Sequence, residues 1–307
     1  MIVQVLDCDA RRCLDPSPMR IGGVVPNAGS LSLDLGIPAM AAALDGAGFD
    51  SLWVSDHVVL PTVMASPYPF AEDGKATWPS ETPYIDALVA LALIAASSSR
   101  ATLGTAVLVL PLRHPVVFAK QAASIDLASG GRLRLGVGGG WLREEFEALN
   151  VPFDDRGGRL LEWMAIARDC WTGAPAARRS ERYTMPEGVL CLPTPTRPIP
   201  FLIGGHSRTS LRRAGRLADG WLPQQSLLAL DPDELASARR TMAEAASEAG
   251  RDPSELHVVL RVVDSRGRAE EMASALSALE AADVDEIIVD VDWSEDPAGQ
   301  LAVLRGG

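Results

Sequence analysis

Cysteine is scarce in this chain, and basic groups are well outnumbered by acidic ones. Its 307 residues include four cysteines, Cys8, Cys13, Cys170 and Cys191. No Cys-x-x-Cys spacing joins them, so neither a disulfide scaffold nor a paired zinc site is read from them, and a reducing cytoplasm is the expected compartment. Against 40 Asp and Glu there are only 28 Lys and Arg, a formal net charge of -12. A nucleic-acid binder would carry a basic face, and none is expected here. Long apolar runs are missing as well: the most apolar stretch, residues 87–96, is too short to span a bilayer. Residues 1–19 hold Asp7, Asp9, Arg11, Arg12 and Asp15 after a very short apolar start, which is not the pattern of a signal peptide. There is no P-loop, no Gly-x-Ser-x-Gly elbow, no low-complexity segment and no short repeat. With 47% hydrophobic and 22% charged residues, the chain has ample material for a core. The expectation is a soluble intracellular protein with no nucleic-acid or membrane partner.

What is there is an alternation. Residues 101–108 are apolar and rich in β-branched side chains, as suits a strand covered on both faces. Over 115–127, Val116, Phe118, Ala119, Ala122, Ala123 and Ile125 make a helical apolar face. A second strand at 132–137 runs into Gly138-Gly139-Gly140, closed by Trp141. This β-α-β unit demands parallel strands and a right-handed crossover. Around it, strands are predicted at 19–25, 51–55, 199–203, 220–222, 256–263 and 286–291. Helices are predicted at 35–47, 84–97, 141–149, 159–171, 208–217, 232–249, 269–281 and 297–304. Strand and helix alternate eight times, the arithmetic of an α/β protein built as a (β/α)8 TIM barrel, with insertion loops at the carboxyl end of the strands. Residues 1–18 read as an extension and 19–307 as one domain. An open doubly wound sheet is the alternative, but it wants a glycine-rich turn directly after its first strand. Here Gly22-Gly23 lie within that strand, and Trp141 stands where Gly-x-Gly-x-x-Gly needs its last glycine.

In a barrel, ligands gather at the carboxyl ends of the strands. Few titratable groups fall there: Asp56, His57, Arg113, His114 and His206. No carboxylate–histidine cluster suits a metal, so no metal site is expected. An apolar, aromatic, glycine-walled site suits a flat organic cofactor. Gly204-Gly205-His206-Ser207, opening a helix that bears Arg208, Arg212, Arg213 and Arg216, is the best anion site, since bare backbone and helix N-terminal amides point outward. The plainer reading makes Ser207 an N-cap and the arginines a solvated face. His57 beside Asp56 is a proton donor or cofactor contact, or else a strand-end pair satisfied by backbone. Trp141 walls a ring system or plugs the barrel mouth.

At these residues the sequence resembles the luciferase-like monooxygenase superfamily. The resemblance rests on Ser51-Leu52-Trp53-Val54-Ser55-Asp56-His57, on Leu103-Gly104-Thr105-Ala106-Val107-Leu108, and on Gly130-Gly131-Arg132 through Gly136-Val137-Gly138. Phe153-Asp154-Asp155-Arg156-Gly157-Gly158-Arg159, Ile203-Gly204-Gly205-His206-Ser207 and Ala218-Asp219-Gly220-Trp221 look like its branch that uses the deazaflavin coenzyme F420. The match runs in order over roughly residues 20–225. It implies a flavin-like ring at the carboxyl end of the barrel and a non-prolyl cis peptide at Ala106–Val107 behind it. It also implies phosphate contacts on Gly204, Gly205, His206 and Ser207, and Asp56 and His57 near the ring, with Gly138, Gly139 and Trp141 completing the cofactor set. Asn27, Trp78 and Trp141 would line the substrate pocket, and the two proline-rich insertions, 58–83 and 173–198, would be lids over it. In the sugar-phosphate dehydrogenase branch, a tryptophan follows the strand-two histidine and a glutamate follows the strand-four glycines. Pro61 and Trp141 stand in those places here, so glucose 6-phosphate oxidation is not expected. The expected activity is hydride transfer between F420 and a small or peptide-derived substrate (C=C, C=N or alcohol/carbonyl), with His57 as the catalytic proton carrier. An FMN-dependent monooxygenase and a catalytically silent flavin-binding barrel are the alternatives. Exposed barrel helices commonly pair in this superfamily, which makes a homodimer possible.

Overall fold

The computed structural model describes residues 19–306 apart from 72 and 77; the extension at 1–18, with Cys8 and Cys13, lies outside the described residues. The barrel strands are β1 (Arg20–Val24), β2 (Ser51–Val54), β3 (Thr102–Val109), β4 (Leu133–Gly138), β5 (Phe201–Gly204), β6 (Gly220–Leu222, continued by Gln224–Ser226), β7 (His257–Val263) and β8 (Glu286–Val289). All pair in parallel, and Glu286 of β8 faces Arg20 of β1 on one side and Val259 of β7 on the other, which closes the cylinder. The expected (β/α)8 barrel is therefore the fold.

Helices α1 (Ile37–Ala47), α2 (Ala87–Ser97), α3 (Pro115–Ala128), α4 (Arg143–Ala148), α5 (Arg156–Cys170), α6 (Arg208–Leu217), α7 (Pro232–Glu248), α8 (Ala269–Ala281) and α9 (Pro297–Leu304) follow the strands, with α4 inserted before α5. Their ends follow local chemistry. α2 begins at Ala87 because the Asp86 carboxylate accepts from the amides of Leu88 and Val89. α5 begins at Arg156, ahead of the predicted 159, and runs through Gly157-Gly158. No helix among the described residues is long and apolar enough to cross a membrane.

The barrel interior is filled by Trp53, Leu202, Leu222, Val259 and Ile288. Trp53 needs glycine opposite it: a Cβ on Gly104 would lie 2.5 Å from its ring. Below Trp53 sits a buried polar knot. The Glu286 carboxylate accepts from Ser51 Oγ at 2.5 Å, Arg134 Nη1 at 2.6 Å and Trp53 Nε1 at 3.2 Å. Burial alone would raise the Glu286 carboxyl, but Arg134, Arg20 and Ser51 together hold it below the ordinary carboxylate range.

The second proline-rich insertion corrects an expectation. Residues 173–198 do not line the cleft described below. They connect a helix to the next strand, so they leave from the amino end of the barrel, opposite the mouth. Thr196 donates to Asp126 and Arg197 to Gly131 O at the foot of α3. The small antiparallel hairpin Arg178–Arg179/Thr184–Met185 carries Arg182 to Asp155 and Glu162 of the α5 segment. Cys170 and Cys191 are buried free thiols beside this insertion, and burial with Cys191 close by pushes the Cys170 thiol up to about 12. Neither is set up to react.

Replacing Glu286 by Gln leaves Arg134 charged and buried without its counter-ion. The expected cost is about 3–5 kcal/mol in chemical denaturation at neutral pH. Because the wild-type carboxyl is depressed in the folded state, its contribution is present above the unfolded carboxylate range and lost as pH falls through the folded value. The gap between wild type and Glu286→Gln should therefore shrink on acidification.

Candidate active site

The carboxyl ends of the strands open into a cleft of about 820 Å³. Its floor is built by a break in β3. The β3–β4 register shifts between Thr105 and Leu108, and the Ala106–Val107 peptide is cis, where the resemblance placed it. The Val107 side chain projects so that a Cβ on Gly138 would meet it at 2.8 Å and one on Gly204 at 3.1 Å. Glycine at both positions makes room for the Val107 side chain and adds none of its own to the floor. A Cβ on Gly139 would meet nothing nearer than Arg156 Cγ at 3.7 Å, so that wall too is bare backbone.

One end of the cleft is cationic. The N-termini of α5 and α6 both open on it, contributing Arg156, Gly157, Ser207 and Ser210, and Arg213 joins them from the second turn of α6. Ser207 caps α6 by accepting from Ser210 N at 3.1 Å. Gly205 takes a left-handed φ of +100°, and its carbonyl is held by Trp221 Nε1 at 2.8 Å. Arg212 and Arg216 pair with Glu248 on α7, away from the cleft. Arg213 makes no hydrogen bond or ion pair among the described residues. Two helix N-termini and an uncommitted guanidinium make this a place for an anion. A flat ring carrying a phosphate, laid on the glycine-bordered floor, fits both features.

His57 is buried in the opposite wall. Its Nδ1 lies 3.0 Å from Glu145 Oε2, while Glu145 Oε1 accepts from Val58 N at 2.6 Å and Val59 N at 3.3 Å. Glu145 is 1% exposed. A carboxylate accepting from amides through one oxygen takes the Nδ1 proton through the other, which leaves Nε2 to face the cleft. Sequence reasoning did not single out Glu145. A signal was present: on a helical wheel Glu145 shares a face with the apolar Leu142, Phe146 and Leu149, which is not where a solvated glutamate sits.

Three expected site residues do other work. Asp56 does not pair with its neighbour His57. Its two oxygens take a bidentate fork from Arg113 at 2.8 Å each, plus Val109 N at 2.8 Å. Burial pushes its carboxyl up from the usual range against the pull of Arg113. Asp56 thus lines the cleft while locking β2 to the loop after β3. Asn27 is fully buried and does not line the cleft; its amide donates to Ser55 O and Ile85 O, and its oxygen accepts from Ser55 N. His206 also turns away, with Nδ1 on Glu234 Oε1 at 3.2 Å and Nε2 accepting from Gln224 N at 3.3 Å. Gly204, Gly205 and Ser207 remain on the cleft, as do Gly138, Gly139, Trp141 and Trp78.

The first insertion, 58–83, does cover the cleft. Tyr68, Phe70 and Trp78 reach in from it: Tyr68 and Trp78 meet Trp141 edge to face at 5.2 and 6.5 Å between ring centroids, Trp78 lies 6.0 Å from the His57 ring, and Phe70 packs on Tyr68 at 5.5 Å. Glu144 pins its middle by accepting from Ala65 N and Ser66 N at 2.8 and 2.9 Å. Burial raises the phenols of Tyr68 and Tyr84 above their usual range, so both stay protonated.

The fold is thus a closed barrel whose mouth joins a partnerless guanidinium and two helix N-termini to a glycine-bordered floor. The family model described as luciferase-like monooxygenase matches residues 26–295, and the chain belongs to that family. An uncharacterized protein of Mycobacterium tuberculosis is 37% identical over 221 residues, covering 72% of this chain and 75% of its own. An F420-dependent glucose-6-phosphate dehydrogenase of Nakamurella multipartita is 32% identical over 192 residues, covering 60% of this chain and 50% of its own. Among solved structures, an F420-dependent secondary alcohol dehydrogenase in complex with an F420-acetone adduct superposes with a TM-score of 0.73 at 16% identity, over 92% of this chain and 96% of that one. At that identity the likeness speaks for the fold.

Replacing Arg213 by Met should weaken binding of a phosphate-bearing flavin or deazaflavin by about tenfold or more, read by calorimetry, with little change in melting temperature.

Proposed function

We propose that the protein is an oxidoreductase that passes a hydride between coenzyme F420 and a small organic substrate, with His57 as the proton carrier. The observation that carries the reading is the buried His57–Glu145 pair facing the same cleft as the cationic end. F420-dependent dehydrogenases among the relatives support F420 as the cofactor.

A bound deazaflavin supplies hydride transfer at one ring carbon. The protein's part is to orient, to exclude water and to manage one proton. Gly138, Gly139, Gly204 and Gly205 with Ala106 and Val107 would hold the ring, and Ser207, Arg213 and Arg156 the phosphate. The lid residues Tyr68, Phe70 and Trp78 shield the ring face from water. Glu145 fixes the imidazole with Nε2 toward the substrate and stabilises the imidazolium when Nε2 is protonated. His57 Nε2 then gives a proton when the substrate is reduced, or takes one when an alcohol is oxidised.

The runner-up, a monooxygenase using reduced FMN and oxygen, draws on the family's descriptive name, and the same phosphate end would serve it. A catalytically silent barrel has less support, because a buried carboxylate–histidine pair at a cleft wall is an acid/base device.

The test is turnover of the deazaflavin's visible absorption with a panel of conjugated ketones and secondary alcohols. His57→Ala should lower kcat about 10²–10⁴-fold, the usual worth of a positioned acid/base. Glu145→Gln should lower kcat less, leaving the affinity for F420 unchanged. Full activity in His57→Ala would remove His57 from the mechanism.

A further inference from the structure

The wall of the cleft around His57 has its own character. His57 is boxed by Tyr84 at 5.4 Å, Trp141 at 6.0 Å and Trp78 at 6.0 Å between ring centroids, with Tyr68 packed edge to face on both tryptophans. Such a box takes a flat, conjugated body. Trp78 lines the cleft while its Nε1 is shielded from it, so what a ligand meets there is the indole ring, and the polar group on this wall is the His57 ring.

Charge at this end is cancelled. Tyr68 OH meets Gln224 Nε2 at 3.5 Å, and Gln224 pairs across the sheet with Arg261. Arg261 lines the cleft near Tyr68, and both of its terminal nitrogens are engaged. Its Nη2 lies 2.5 Å from Asp290 Oδ1, and its Nη1 donates to Val262 O at 2.7 Å and Ile288 O at 3.4 Å. The pair is largely buried, with side-chain exposures of 12% and 24%. Asp264, also on the cleft, adds a carboxylate that accepts from Ser226 Oγ and has no cationic partner among the described residues. Thus Arg213 is a cation on the cleft with no partner among the described residues, while near Tyr68 the charge of Arg261 is answered by Asp290 and that of Asp264 is left over.

We propose that the substrate is a planar conjugated carbonyl compound with no anionic group, seated in the aromatic box, and that Asp290, by neutralising Arg261, keeps anionic compounds out. This deepens the proposed function and rests on it for the identity of the cofactor. The box and the ion pair are independent of that identity. An anionic substrate entering here would lose its hydration, gain no free cation and face Asp264 and Asp290.

Two probes of one skeleton test the idea: benzylideneacetone, a neutral planar enone, and cinnamate, its carboxylate counterpart. Both are titrated by quenching of tryptophan fluorescence, with and without F420. Wild-type protein should bind the ketone at least about tenfold more tightly than cinnamate. Asp290→Asn, nearly isosteric, releases Arg261 and should narrow that ratio about tenfold or more. Trp78→Ala removes one wall of the box and should weaken the ketone about tenfold or more. Cinnamate binding as well as the ketone in wild type, or an unchanged ratio in Asp290→Asn, would overturn the proposal. F420 affinity is measured by calorimetry on the same samples. A protein that selects the ketone as described but ignores F420 would refute the cofactor and leave this inference standing.

Discussion

One carboxylate holds the working parts of this protein together. Glu145 is buried on a short helix just past the β4 glycines, and it ties three things to that helix: the imidazole of His57, and the amides of Val58 and Val59 at the root of the lid. A buried carboxylate must fill its lone pairs or pay heavily for its charge. Here filling them fixes the tautomer of the histidine and the departure angle of the lid in one stroke. The neighbouring Glu144 then secures the lid further along, so α4 anchors the whole cover of the cleft.

The barrel beneath supplies what that arrangement needs. Trp53, faced by glycine, closes the interior, and the β3 break lifts Val107 toward Gly138 and Gly204. The result is a mouth with a flat floor and two helix N-termini at one side. Charge on the cleft is uneven: Arg213 has no partner among the described residues, whereas Arg261 is answered by Asp290 and lies with Asp264 near Tyr68. A cofactor with a phosphate and a substrate without one would sort themselves by electrostatics alone.

Much of this was legible in the amino-acid order. The alternation of β-branched runs with helical faces foretold the barrel, because both periodicities are local. The cis peptide stands where the motif resemblance placed it, and the glycines at 138, 139, 204 and 205 line the cleft. Partnerships across the chain were not legible. Asp56 and His57 are neighbours in sequence, yet strand geometry sends one to Arg113 and the other to Glu145. Asn27 and His206 looked available, since nothing local reveals that Ser55, Ile85, Glu234 and Gln224 consume their polar atoms. The 173–198 segment resembled a lid by composition, but its place between a helix and a strand puts it at the barrel's other end. Connectivity there outranks composition.

The central claim is that this mouth is built for a deazaflavin. It is tested most directly by calorimetry of the purified protein with oxidised F420 and, separately, with FMN. The account predicts micromolar or tighter binding of F420, at one site per chain, and distinctly weaker binding of FMN. Tight binding of FMN with none of F420 would contradict it and move the chemistry to oxygen activation.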